Sequence, residues 1–255
     1  MSAELLRVQG RSIPADAFAH PFMYWVGMDT DPRTTPEALA EFNRFYSTTH
    51  VGEVLAAHPG FVSASRYELL DPDPRGGMHC GPRWLAVYEM ADEAAARQYV
   101  KDNERPWLHR RRYSPWPAAR KRAKTVWRMI WQQISATGSN DQAPESVFVV
   151  GMNVPADTDA TGLAEFNAFY TDTHMPEVMA YGGYARGTRF ELYREFAHPA
   201  PGCPRFCAIY EADAAATEAR DARRAARGTL SSGPPAWEKR DTVWRLVYRR
   251  LPPPE

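Results

Sequence analysis

Residues 40–56 read AEFNRFYSTTHVGEVLA and residues 164–180 read AEFNAFYTDTHMPEVMA. Eleven of the seventeen positions are identical, where chance matching of ordinary residue usage gives about one. The likeness continues in the same order on both sides. VGM stands at 26–28 and at 150–152, SRYEL (65–69) answers TRFEL (188–192), PRWLAVYE (82–89) answers PRFCAIYE (204–211), and TVWRMIW (125–131) answers TVWRLVY (242–248). The chain is therefore a tandem duplication of a unit of roughly 110 residues, and its fold is one that two like units complete together.

Each unit has a legible order of elements. Phe22–Asp29 and Val147–Asn153 are rich in β-branched and aromatic residues and predict strands. Thr34, Thr35, Pro36 and Glu37 form a helix start, followed by a helical apolar period at Leu39, Phe42, Phe45 and Tyr46. Pro59 and Gly60, or Gly182 and Gly183, end that helix. Strands at Phe61–Leu69 and Trp84–Glu89, an Ala-rich helix from near Asp92 and a strand through Thr125–Trp131 complete the order βαββαβ, which the second unit repeats as far as Tyr248. This is the ferredoxin-like split βαβ arrangement, an antiparallel sheet with both helices on one face. The other face of each sheet is apolar and needs cover, which the second copy provides. The expected fold is α+β, two ferredoxin-like βαββαβ units in one pseudo-two-fold body. Its expected parts are an N-terminal extension (1–20), a first unit (21–133), a polar Ser- and Pro-containing linker (134–145), a second unit (146–250) and a tail (251–255).

Composition bounds the function. Of 255 residues, 44% are hydrophobic and 24% charged, with 31 basic and 31 acidic side chains. A chain with no net charge lacks the cationic excess that neutralises phosphates, so nucleic acid is not expected as a partner. No segment approaches the ~18 apolar residues of a membrane helix, and the first residues have no apolar signal core, so neither a membrane nor export is expected and the cytoplasm is the expected address. Cys80, Cys203 and Cys207 are odd in number and form no CxxC pair, which argues against a disulfide framework or a metal site. The basic runs at 105–124 and 220–227 read as solvated faces.

The repeated helix carries the chemistry. Asn43, Tyr46, His50 and Glu53, and likewise Asn167, Tyr170, His174 and Glu177, are spaced by three, four and three residues and share one stripe of a continuous helix. Pro176 and its counterpart Gly52 predict a break just after each histidine, which would place Glu53 and Glu177 on a second short segment. Histidine titrates nearest neutral pH, and Tyr and Asn can orient a carbonyl or phenol. Hydrogen-bonded core histidines are the equally simple structural reading. No GxSxG, HExxH or phosphate-binding glycine loop competes. Arg66 and Arg189 recur beside Glu68 and Glu191, as an ion pair between sheets or as anchors for a carboxylate or phenolate. Strand aromatics such as Trp25, Trp84, Trp127, Trp131 and Trp244 suit a core, or the walls of a site for a flat ligand.

The segments FYSTTHVGEVLAAHPGF (45–61) and FYTDTHMPEVMAYGGY (169–184), each followed by SRYEL or TRFEL, resemble the aromatic-x-x-x-His-x-Pro-Glu signature of the EthD-like branch of the dimeric α+β barrel superfamily. That resemblance implies an eight-stranded barrel, usually built by a homodimer and here by the fused tandem, with a cavity between sheet and helices in each unit. It places the family histidine at His50 and His174 and the preceding aromatic at Tyr46 and Tyr170. The motif's proline is Pro176 in the second half and is replaced by Gly52 in the first, which makes His174 the more typical site. The implied activities are cofactor-free oxygenation, decarboxylation, dehydration and isomerisation of small aromatic, quinone-like or lactone compounds, and the superfamily also holds haem proteins.

The expectation is thus a cofactor-independent enzyme of lyase or isomerase type acting on an aromatic or polyketide-like small molecule. His50, His174, Tyr46 and Tyr170 are the expected catalytic groups, and Asn43, Asn167, Arg66, Arg189, Glu53 and Glu177 the expected substrate-binding ones. The alternatives are haem held by a helix histidine, a cofactor-free oxygenase, and a non-catalytic ligand-binding accessory protein. Association beyond the intrachain pseudo-dimer stays open.

Overall fold

A computed structural model describes residues 18–104, 113–140, 142–225 and 228–252. Most of the N-terminal extension, much of the first basic run, the end of the second and most of the tail lie outside the described residues. Eight strands form one closed barrel in the order β1-β3-β2-β8-β5-β7-β6-β4. They are β1 (Phe22–Asp29), β2 (Phe61–Asp71), β3 (Trp84–Met90), β4 (Lys124–Gly138), β5 (Ser146–Asn153), β6 (Arg186–Ala197), β7 (Phe206–Ala212) and β8 (Asp241–Arg250), all paired antiparallel. The two expected sheets exist, but they do not merely stack. They join edge to edge at β2–β8 and β4–β6, so no strand edge is left for solvent.

The β4–β6 seam revises the expected linker. Residues 134–138 of that polar stretch are strand, with Ser135 opposite Arg189 and Gly138 opposite Arg186. The polar sequence concealed a strand because burial alternates along it, and the ladder is supplied by the other half of the chain. The connection proper begins after Gly138 and ends before Ser146.

Strand alternation divides the aromatic residues between two environments. Met23, Trp25, Leu85, Val87, Trp127, Met129 and Trp131 point into the barrel with Tyr67, Trp244 and Tyr248. Trp25, Trp127, Trp131 and Trp244 pack ring against ring, with centroids 4.8–6.4 Å apart. The interior is therefore a filled core, and any ligand site must lie outside it. Tyr24, Met28, Trp84, Ala86, Tyr88 and Ile130 point outward to the helices, as Val150, Met152, Phe206, Ala208 and Tyr210 do in the second half. No helix among the described residues is long and apolar enough to cross a membrane.

Candidate active site

The motif helix starts at α1 (Pro36–Phe45) in the first half and at α4 (Ala160–Phe169) in the second. Thr35 caps α1 by accepting the Ala38 N–H at 3.3 Å, and Asp159 caps α4 by accepting the Gly162 N–H at 2.8 Å. Each helix runs on past its histidine, but one wide turn interrupts its regular ladder, and Glu53 and Glu177 fall on the short segments that follow. Tyr46–His50 and Tyr170–His174 form single π turns that lead directly into α2 (Val51–Ala57) and α5 (Met175–Gly182). Pro176 falls at the start of α5, just after the wide turn has interrupted the regular ladder, where a missing N–H costs little. The π turn sets each tyrosine against its histidine, with ring centroids 5.1 Å apart for Tyr46–His50 and for Tyr170–His174.

The arginines of the second strand hold these turns. Arg66 donates from Nη1 to the Asn43 carbonyl (2.9 Å) and Ser47 Oγ (2.8 Å), and from Nη2 to Asn43 Oδ1 (2.8 Å). Arg189 repeats the pattern on the Asn167 carbonyl (3.1 Å), Thr171 Oγ1 (3.1 Å) and Asn167 Oδ1 (2.7 Å). Each guanidinium also lies over the motif tyrosine, 4.1 Å from the Tyr46 ring and 4.4 Å from the Tyr170 ring. Burial depresses both, Arg66 to about 10. The expected partnership of Arg66 with Glu68 and of Arg189 with Glu191 is not formed. Those carboxylates point outward and pair with Arg83 (3.0 Å) and Arg205 (2.8 Å). Asn43, Asn167, Arg66 and Arg189 are thus bound to one another rather than aimed at a ligand, because a buried guanidinium needs acceptors and the asparagine supplies two.

Glu53 and Glu177 also look away from a ligand. Glu53 accepts the Ser114 N–H at 2.9 Å and its hydroxyl, and Glu177 accepts the Ser231 N–H at 3.2 Å and its hydroxyl. This tie brings a following tryptophan onto each histidine. The Trp116 ring lies 4.4 Å from His50, and Trp237, on the short helix α8 (Pro235–Glu238), lies 4.2 Å from His174. Arg120 then covers Trp116 at 5.5 Å and Arg240 covers Trp237 at 3.4 Å. His50 Nδ1 is 3.8 Å from Glu53 Oε2. Burial outweighs that carboxylate and pulls His50 down to about 4, so its imidazole is neutral at pH 7.

The serine, tryptophan and arginine of this arrangement were not found by sequence comparison. Ser114 lies 117 residues before Ser231, but Trp116 lies 121 before Trp237 and Arg120 lies 120 before Arg240. The loop length drifts between the copies, and only the structure restores the correspondence.

The halves differ beyond this framework. In the second, a cavity of about 290 Å³ opens beside His174, walled by Phe148, Tyr170, Tyr184, Tyr210 and Trp237. The hydroxyls of Tyr170 and Tyr210 are 3.2 Å apart. Burial raises both, Tyr170 to about 12, so they remain protonated donors near neutral pH. After the short helix α6 (Ala214–Glu218), Arg220 and Arg223 both come from α7 (Arg220–Ala225), and Asp71–Arg75 arrive from the first half to close the rim. Residues of both halves therefore line this one cavity.

In the first half the matching space is packed. Tyr99, on α3 (Glu93–Glu104), sits 4.6 Å from Tyr24, 4.8 Å from His58 and 5.2 Å from Phe61. Phe196 crosses from β6 to meet Tyr99 at 5.9 Å, and Arg128 donates to Tyr24 Oη at 2.7 Å. His50 is boxed in by Tyr46, Tyr113 and Trp116.

No protein-family model matches the chain, and no curated protein matches its sequence. Solved structures do match its fold. A chlorite dismutase-like protein superposes with a TM-score of 0.50 at 12% identity, covering 91% of this chain and 94% of that one. An anthrone oxidase-like protein gives 0.50 at 14% identity over 94% of each chain. A dye-decolorizing peroxidase from Bacteroides thetaiotaomicron gives 0.51 at 8% identity, covering 93% and 95%. The chain has their mixed α+β fold, an eight-stranded antiparallel barrel backed by helices, which is the dimeric α+β barrel closed within one polypeptide.

Proposed function

We propose that the chain is a small-molecule enzyme whose single working site is the cavity of the second half, with His174 as general base toward a flat hydroxylated aromatic or polyketide-like substrate. The observation that carries this reading is that His174, Tyr170 and Tyr210 all line that cavity, the two tyrosine hydroxyls 3.2 Å apart. His174 takes a proton from an acidic carbon or phenol. Tyr170 and Tyr210, held protonated by burial, receive the negative charge that develops on the substrate oxygen. Asn167, Arg189 and Glu177 position the turn and the tryptophan instead of touching substrate. The signature in residues 169–184 supports placement in the EthD-like branch.

Proton removal opens either elimination and isomerisation, or reaction of the resulting carbanion with dioxygen. The names of the structural neighbours favour oxidation. On an anthrone, the methylene carbon loses two hydrogens and gains a carbonyl oxygen, and dioxygen supplies that oxygen and leaves as water.

Haem is the second reading, favoured by a helix histidine lining an arginine-rimmed cavity beneath a fold shared with a chlorite dismutase-like protein and a peroxidase. His174 would hold the iron and the arginines the carboxylates of the haem, which would supply redox chemistry. The space present does not fit it. At about 290 Å³ the cavity lies at the floor of the ~300–1,000 Å³ range of small-molecule sites, which suits two or three fused rings and not a porphyrin.

The test uses anthrone as probe. Under nitrogen in D₂O, the protein should accelerate exchange of the methylene protons, and in air it should consume dioxygen. His174→Ala should lower both about 10²- to 10⁴-fold, while His50→Ala leaves them within a factor of two or three. Exchange unaffected by His174→Ala overturns the assignment. A Soret band of defined stoichiometry on adding haemin, abolished by His174→Ala, transfers the reading to haem.

A further inference from the structure

The two halves share a helix cap from which their second helices can be counted. Asp92 accepts the Ala95 N–H at 2.8 Å and Asp213 accepts the Ala216 N–H at 2.7 Å. From these caps, Tyr99 corresponds to Arg220 and Asp102 to Arg223. Where the first half carries an aromatic plug and a buried acid, the second half presents two guanidiniums to an open cavity.

Of the other arginines lining the cavity, Arg75 and Arg240 are engaged, and Arg245 shares the space with Asp71 and Asp73. Arg75 is bound to both oxygens of Asp73, from Nε at 2.9 Å and Nη2 at 2.7 Å, and donates from Nη1 to the Thr242 carbonyl at 2.7 Å. Arg240 donates to the Trp237 carbonyl at 2.6 Å and stacks on that indole. Arg220 differs. Its Nη1 is buried and has no hydrogen-bond partner among the described residues. The acid that meets it is its neighbour Asp221, through Nε at 3.2 Å, and that carboxylate is 82% exposed. A buried guanidinium N–H left without an acceptor is costly, and a ligand oxygen satisfies it, an anionic one most strongly.

We infer that the ligand of this cavity is an aromatic carboxylate, its rings against Phe148, Tyr184 and Tyr210 and its carboxylate on Arg220 and Arg223. This names the substrate class for the site proposed above and rests on that reading's choice of cavity. The three rings lie 5.4–6.2 Å apart and form an apolar wall, and the arginines close one side of the same space. A planar carboxylate matches the guanidinium fork with two oxygens and one charge. A phosphoryl group carries more charge and bulk than a site of this volume favours.

The experiment is a calorimetric comparison of 2-naphthoate, 2-naphthamide and 2-naphthyl phosphate on the full chain. The expected result is that naphthoate binds at least tenfold more tightly than the amide, that added salt narrows the gap, and that Arg220→Gln cuts the naphthoate-to-amide preference about tenfold to a hundredfold. Circular dichroism of the variant checks that it is folded, and Arg223→Gln gives a second, independent reading. Equal binding of acid and amide, no binding of either, or a preference untouched by both substitutions overturns the inference, and so does tighter binding of the phosphate. Because binding preference needs no proton transfer, the two proposals fail separately. Loss of the preference with His174-dependent exchange intact refutes only the carboxylate, and the reverse refutes only the base.

Discussion

Tyr99 and Arg220 are each the seventh residue after a helix-capping aspartate, one in each half of the chain. The first is packed among aromatic rings and the second lines the open cavity. Tyr99 is 8% exposed and touches Tyr24, His58, Phe61 and Phe196. Tyr99→Ala should therefore cost about 3–5 kcal/mol, the usual range for truncating a buried ring. Urea denaturation should show it as a lower midpoint with the slope unchanged. Naphthoate binding in the second half should persist under native conditions, since Tyr99 is not among the residues lining that cavity.

The buried histidine of the first half makes stability depend on pH. Burial holds His50 at about 4 against an ordinary value of 6.5, with Glu53 opposing and Arg120 and Arg66 assisting. A lowered folded value means the unfolded chain binds the proton more readily. This contribution is complete above about pH 6.5 and is lost progressively as pH falls toward 4. Its upper size is of order 3 kcal/mol at ~1.4 kcal/mol per unit. His50→Gln should flatten the fall in stability between pH 6.5 and 4.5, measured by denaturant titration at each pH. An equally steep fall in the variant would show that the carboxylates, and not His50, govern acid sensitivity.

The repeat and the helix histidine were legible in the sequence because both lie in contiguous segments whose spacing both copies preserve. Phe22–Asp29 was read to the residue, since its β-branched and aromatic run is bounded by Pro21 and by polar residues after it. What escaped depends on contacts between distant segments. The partnership of Arg189 with Asn167 needs the register of β6 over α4, and the sequence offered Glu191 as a nearer partner. The strand hidden in residues 134–138 is polar and is made by its neighbour β6. The open cavity depends on Asp71–Arg75 crossing from the other half, which no periodicity within one unit reveals.

Arg189 should tolerate no substitute. It is 2% exposed and satisfies three acceptors, two on Asn167 of α4 and one on Thr171 of the π turn, while lying over the Tyr170 ring. Lysine keeps the charge but lacks the planar fork that reaches both oxygens of Asn167. Arg189→Lys should lower stability by about 2–3 kcal/mol, through buried acceptors left unmet. It should also weaken His174-dependent proton exchange, because the turn that sets Tyr170 against His174 relaxes. Thermal denaturation and the anthrone exchange rate read the two effects separately. A variant with a lowered melting temperature but unchanged exchange would confine Arg189 to the fold.

Gly183 tests the cation cluster without touching a charged residue. It caps α5 in the left-handed region at φ 68°, which glycine adopts without a steric penalty. Arg223 Nη1 and Cζ occupy the place where a Cβ at position 183 would stand. Gly183→Ala therefore carries two costs, a backbone one of about 1 kcal/mol and displacement of a guanidinium from the cavity rim. If Arg223 helps hold a carboxylate, the naphthoate-to-amide preference should fall by a similar factor in Gly183→Ala and in Arg223→Gln, and the double variant should lose little more than either alone. Additive losses would mean that the alanine acts elsewhere. A preference retained in Gly183→Ala, with the expected drop in stability present, would show that Arg223 swings aside and still reaches the ligand. The cluster would then be defined by charge and reach instead of by a fixed guanidinium position over Gly183.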